Sequence, residues 1–372
     1  MSGAPARRPA SHSSEAQQLP ALTGVRFLLA LWVVLHHLTG KRMMLEAWAA
    51  SLPAPVFNLV RGGYLAVGTF FVLSGFVLAR SYGPTLWNRR NLLRYGMGRF
   101  ARVYPAYLVS LLIVIPMAAR YLAKPGPSGA EKASTIASYI FVLQGWAAKP
   151  PVYWNTPAWS LSCEFFFYLC FPVLALCLRR RSGLTIIGAA AAALMLPTLF
   201  GRLGVPLYWK PVTDLADFML GIGAAGLYDR IWRGRAWMAQ RGWLLYVPAA
   251  ACSLALVAFP WVLDGWTTLS TALRVMNAAL VIGLACGGGL PALALSTRIA
   301  TKLGHASYSL YILHVPLMWW FSRYWWHPVG VKLVVCVAGY LIGVVAVSIL
   351  AFDYVEAPAN RRIRAWMNAR VN

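Results

Sequence analysis

Residues 21–39 read ALTGVRFLLALWVVLHHLT. At about 1.5 Å of rise per residue, a helix of this length crosses the roughly 30 Å hydrocarbon core of a bilayer. The run is apolar except for three ionisable side chains, Arg26, His36 and His37. Ionisable groups inside a span are costly to bury, so each one is a candidate for function. Helix geometry separates them. Eleven steps of about 100° bring Arg26 and His37 to within roughly 20° of one face, about 16 Å apart along the axis. His36 points about 80° away from Arg26. Two readings of Arg26 stand at this level: a polar group on a path toward His37, or an anchor reaching back to the interface.

Nine further apolar runs of spanning length follow, near 63–79, 103–119, 159–178, 184–200, 212–228, 243–261, 269–290, 303–325 and 330–352. The composition agrees, with 59% hydrophobic and 12% charged residues in 372, against roughly 25% charged in soluble proteins. The net charge of +24 would suggest nucleic acid in a soluble chain. Here the bases gather in short loops between apolar runs, as the positive-inside rule requires, and no nucleic-acid partner is expected. The six cysteines (163, 170, 177, 252, 286 and 336) lie in apolar stretches without CxxC spacing. They read as small buried hydrophobes, and adjacent His36 and His37 lack the spacing of a metal site.

Segment 134–147 decides the parity, being too short to span. Read as re-entrant, it puts the bases of loop 80–102 (Arg80, Arg89, Arg90, Arg94, Arg99 and Arg102), Arg179–Arg181, Arg230 to Arg241, Arg298 with Lys302, and Arg361 to Arg370 all on the cytoplasmic side. Loop 262–268, with Asp264 and no base, falls outside. The expected fold is an all-α polytopic membrane protein of about ten transmembrane helices plus one short re-entrant segment, both termini cytoplasmic. Residues 1–20 read as a disordered tail, 21–354 as the transmembrane domain, and 355–372 as a basic cytoplasmic tail. Irregular backbone within 134–158 must then be buried in protein or line a cavity.

Other polar residues stand out. Glu164 begins an otherwise apolar helix in Trp159-Ser160-Leu161-Ser162-Cys163-Glu164. It can orient an imidazole, or it can be an acid favoured by the helix N-terminus. Arg99 and Arg102 lie one turn apart at a helix mouth, suited to phosphate capture or simply to setting topology. His314 lies in a late segment, Ser307-Tyr308-Ser309-Leu310-Tyr311-Ile312-Leu313-His314-Val315-Pro316, where a packing or hydrogen-bonding role competes with a catalytic one.

Taken together, these segments resemble acyltransferase family 3. Arg26 to His37 matches the family's basic-x10-His pattern, Phe70 to Phe76 its Phe-Phe-x-Leu-Ser-Gly-Phe, and Arg99, Arg102 and Pro105 its Arg-x-x-Arg-x-x-Pro. Trp159 through Glu164, Ser307 through Pro316, and Glu356 with Pro358 complete six motifs in the family's order. His36 departs from the pattern by adding a second imidazole. The resemblance implies a bacterial inner-membrane enzyme that takes an acetyl or other short acyl group from acyl-CoA. The acceptor is a hydroxyl of a carbohydrate or glycolipid, or alternatively of a sugar on a small natural product such as a macrolide. No resident cofactor is implied. Arg26, Arg99 and Arg102 are expected to bind acyl-CoA, and His37 to act as general base with Glu164 orienting it. His36, Ser74, Trp159, Ser160, Tyr308 and His314 are supporting candidates, and an acyl-enzyme at His, Ser74 or Ser160 stays open beside direct transfer. The reading from another class is a glycan or lipid transporter using the same polar path.

Overall fold

The computed structural model describes residues 19–41, 43–82, 88–146, 154–178, 185–191, 209–231, 240–263, 265–324 and 329–371, with the isolated positions 86, 195, 203, 235 and 237. Its regular elements among the described residues are all helical. The principal helices are α1 (Pro20–Leu38), α2 (Ala66–Tyr82), α3 (Arg89–Ala123), α4 (Gly129–Ile140), α5 (Ala158–Leu178) and α6 (Leu215–Ile231). They continue as α7 (Trp243–Ala258), α8 (Gly265–Cys286), α9 (Arg298–Tyr324), α10 (Val331–Ala351) and α11 (Ala357–Val371). Among the described residues, six helical stretches are long and apolar enough to cross a membrane: 20–38, 54–82, 89–123, 158–176, 268–286 and 331–367. The α9 helix is long, but Arg298, Lys302, His305 and His314 reduce its apolar character. It lies inside the bundle between α1, α3 and α10.

Helix extends into two segments read from the sequence as loop and tail. Loop 80–102 is helical from Arg89, because Asn88 caps α3 by accepting a hydrogen bond from the Asn91 N–H at 2.7 Å. The predicted tail 355–372 is helical from Ala357 to Val371 and packs along α3. A π-helical turn, Phe352–Glu356, joins it to α10. The expected span 184–200 is described only at 185–191 and 195, and Arg179–Arg181 and residues 1–18 lie outside the described residues.

The bundle is organised around α1 and α9, which pack closely enough that a Cβ at Gly304 would strike the Thr23 carbonyl. Small residues permit such backbone contact between membrane helices. The α2 and α6 helices cross in the same way, with Gly75 against Phe218 O and Gly221 against Val72 O. Phe71, Phe167 and Phe218 tie α2, α5 and α6 together, with centroids 5.0 and 5.1 Å apart. Leu169, 78% exposed, and Ile342 point outward.

Proline within a helix leaves the carbonyl four residues earlier without its N–H donor. At two of the helix prolines a side chain supplies it. The Asn155 amide donates to Ile312 O at 2.9 Å, opposite Pro316. The Tyr95 hydroxyl donates to Tyr168 O at 2.9 Å, opposite Pro172.

Segment 134–147 is the end of the 12-residue α4 followed by a turn. Its irregular backbone is satisfied by neighbouring helices. The Tyr107 hydroxyl donates to Tyr139 O at 2.6 Å, and Ser162 Oγ donates to Val142 O at 2.6 Å while accepting from Gly145 N at 3.0 Å.

Candidate active site

Three groups of polar residues lie in sequence along the α1–α9 pair. The first gathers bases at one end. Arg99 Nη2 donates to the Tyr82 hydroxyl at 3.3 Å, and its guanidinium lies 5.3 Å from that ring's centre. Arg102 pairs with Glu356 at 3.6 Å, and Glu356 in turn accepts from Ser309 Oγ at 3.0 Å. Arg26 faces the charges of Arg102, Glu164 and Glu356. The Nε atoms of Arg26 and Arg99 are buried without a hydrogen-bond partner. Buried donors are normally paired, so these two nitrogens fit an anionic group delivered by a ligand.

The second group is a narrow cavity of about 40 Å³ whose wall includes Arg26, Phe70, Ser160, Glu164, Tyr308 and Tyr311. Tyr168 donates to Glu164 Oε2 at 3.2 Å, and Ser74 hydrogen-bonds Tyr168. Tyr308 donates to Val103 O at 2.9 Å, and Ser160 Oγ lies 2.8 Å from the Tyr311 hydroxyl. Trp159 stands to the side, edge-on to Phe71 with Lys210 5.6 Å from its ring centre.

The third group is imidazole. Tyr308 and Tyr311 lie three residues apart on α9 and His314 three further on, so each reaches toward the next turn. The Tyr311 and His314 ring centres are 6.1 Å apart. His314 Nε2 is 3.2 Å from His37 Nδ1, and that nitrogen is 2.9 Å from Val33 O. His36 turns away, its Nδ1 on Arg61 O, as its offset on the helix requires.

The structure therefore brings Arg26, Glu164, Ser160 and Tyr308 together and, separately, His37 and His314. It does not bring Glu164 to His37. Glu164 belongs to the Arg26 cavity, about 16 Å of helix rise below His37. The neighbour of the His37 ring is another imidazole.

Two features escaped the sequence reading. Arg274 pairs with Asp217 at 3.1 Å and Asp214 at 3.9 Å, joining α8 to α6. Ionisable residues in apolar runs were the available signal. A wide cavity of about 1210 Å³ also opens at the far end of α9, with Trp154, Trp319 and Trp320 beside Arg120, Lys124 and Arg323. It is assembled from α3, α4 with Glu131 and Ser134, α9, and Trp154 ahead of α5, so no single segment announces it.

A family profile described as an acyltransferase domain, family 3, matches residues 19–353. The chain is 30% identical to acyltransferase MdmB of Streptomyces mycarofaciens over 80% of its own length and 78% of that protein's. It is 25% identical to O-acetyltransferase OatA of Staphylococcus aureus, over 92% of its own length and 57% of that protein's. No solved structure matches it significantly. The profile spans the three arginines, the narrow cavity and the imidazole pair, with Glu356 just beyond its end, and the chain belongs to acyltransferase family 3.

Proposed function

We propose that the protein is a bacterial inner-membrane O-acyltransferase, moving an acetyl or other short acyl group from acyl-CoA to a hydroxyl of a glycan or its lipid-linked precursor. The observation that carries this reading is the continuity of the polar groups. Arg26 and His37 share one helix, and Tyr308, Tyr311 and His314 of α9 lie along it. Arg99, Arg102 and Arg26 hold the donor's phosphates, a role supported by the two unpartnered Nε atoms. Glu164 balances Arg26 and, with Tyr168, keeps the cavity polar where the thioester passes. At His37 the imidazole takes the proton from the acceptor hydroxyl as its oxygen attacks the thioester carbonyl. The C–S bond then breaks, and the departing thiolate takes up that proton as CoA thiol.

The acceptor enters from the wide cavity at the other end of α9. Its tryptophan walls and basic groups suit a ring-bearing, polyhydroxylated molecule, whether a glycan or a glycosylated natural product. In this reading the chain crosses the membrane ten times with both termini cytoplasmic. That topology puts the basic clusters and the donor end on one side.

Acyl transfer in inside-out membrane vesicles with labelled acetyl-CoA tests the proposal. Wild type and His36→Ala transfer label to a glycan or small acceptor, and His37→Ala does not. Full transfer by His37→Ala overturns the assignment of the base, and loss confined to His36→Ala moves it to His36.

A further inference from the structure

We infer that His314 is the positioning residue for His37: a neutral imidazole that fixes Nε2 of His37 as the basic nitrogen and shares the positive charge once His37 has taken a proton. This rests on His37 being the general base.

The protons can be assigned from acceptors that have no alternative role. His314 Nδ1 lies 2.7 Å from Tyr311 O and 3.2 Å from Leu310 O. A carbonyl oxygen only accepts, so Nδ1 of His314 carries the proton and its Nε2 offers a lone pair. His37 Nδ1 lies 2.9 Å from Val33 O, and by the same reasoning it also carries its proton. The two assignments are compatible across the 3.2 Å contact, where the single His37 Nδ1–H is shared between Val33 O and the His314 Nε2 lone pair. That leaves His37 Nε2 unprotonated and without a partner among the described residues, ready for a hydroxyl. His314 is held for the task. It is fully buried, and the Tyr340 hydroxyl donates to its backbone carbonyl at 2.7 Å.

In hydrolytic triads a carboxylate fixes the tautomer and stabilises the imidazolium. Among the described residues no carboxylate is hydrogen-bonded to either ring, and His314 occupies that place. When His37 Nε2 gains the acceptor's proton, the Nδ1–H bond to His314 becomes charge-assisted and strengthens. A partner that binds more strongly after proton transfer than before it accelerates the step rather than merely holding substrate.

The test measures kcat and KM for acetyl-CoA in vesicles, with activity taken per mole of acetyl-CoA-binding sites so that misfolded protein is not counted. His314→Leu is expected to lower kcat about 10²-fold while KM stays within about two-fold. His314→Gln, whose Oε1 can accept the same proton, is expected to recover about ten-fold of that loss. His37→Ala/His314→Leu is expected to be no slower than His37→Ala, because His314 acts only through His37. An unchanged kcat in His314→Leu, equal losses in the Leu and Gln variants, or a double variant slower than His37→Ala overturns the inference while His37 remains the base. Retained activity in His37→Ala overturns both.

Discussion

Nη1 of Arg102 stands 3.6 Å from Oε1 of Glu356, joining the body of α3 to the turn ahead of α11. Glu356 is 1% exposed, so its charge depends on this partner. Removing one member of a buried pair typically costs about 3–5 kcal/mol. Arg102→Ala is therefore expected to lose about that much stability, seen as a lower melting temperature in detergent. Adding Glu356→Gln should restore most of the stability without restoring the KM for acyl-CoA. Recovery of both would make Arg102 a purely structural residue.

Among the described residues no carboxylate is paired with Arg99. It rests on the Tyr82 ring and hydroxyl, and its Nε is unpartnered. Arg99→Gln is expected to raise the KM for acyl-CoA by about 10- to 100-fold, the weight of a charge-assisted hydrogen bond. Its kcat and melting temperature should stay close to wild type. Initial-rate kinetics over a range of acyl-CoA concentrations check this.

Asn155 and Pro316 should be energetically coupled although they do not share an element. Asn155→Ala orphans Ile312 O and should cost about 1–3 kcal/mol. In a Pro316→Ala background residue 316 regains its N–H, so the same change should cost clearly less. A double-mutant cycle of melting temperatures measures the difference.

At the α1–α9 crossing, Gly304→Ala places a methyl group against the Thr23 carbonyl. Relief requires the helices to part, at about 1–3 kcal/mol for an overpacked contact. Parting them also separates Arg26 from Tyr308, so acyl transfer should fall with stability. Gly339→Ala on α10, where a Cβ meets nothing, is the control and should leave both unchanged.

Much of this was legible in the chain because hydropathy is a local property. The apolar runs foretold most of the principal helices, and the placing of Arg26 and His37 on one face followed from helix periodicity. What stayed hidden depends on contacts between distant residues. Nothing near residue 37 announces His314, which lies 277 positions away. Arg102 reads as an unengaged base until Glu356 folds onto it. Glu164 reads from its chemistry as a group able to orient an imidazole, and only the tertiary fold puts it in one cavity wall with Arg26 instead. Pro316 did carry a usable signal, since a proline inside a helix requires a donor from elsewhere.

The Arg102–Glu356 pair has a consequence for biosynthesis. Glu356 is made 254 residues after Arg102, so ribosomes have threaded nearly all the bundle before the arginine meets its counter-charge. Until then the cluster holds Arg26, Arg99 and Arg102 with Glu164 as a nearby acid and remains electrostatically unfinished. Closing the π-helical turn at Phe352–Glu356 and laying α11 along α3 is then a late maturation step. Under the proposed function, nascent chains arrested before that turn should insert yet fail to retain acyl-CoA, which would separate insertion from catalytic competence.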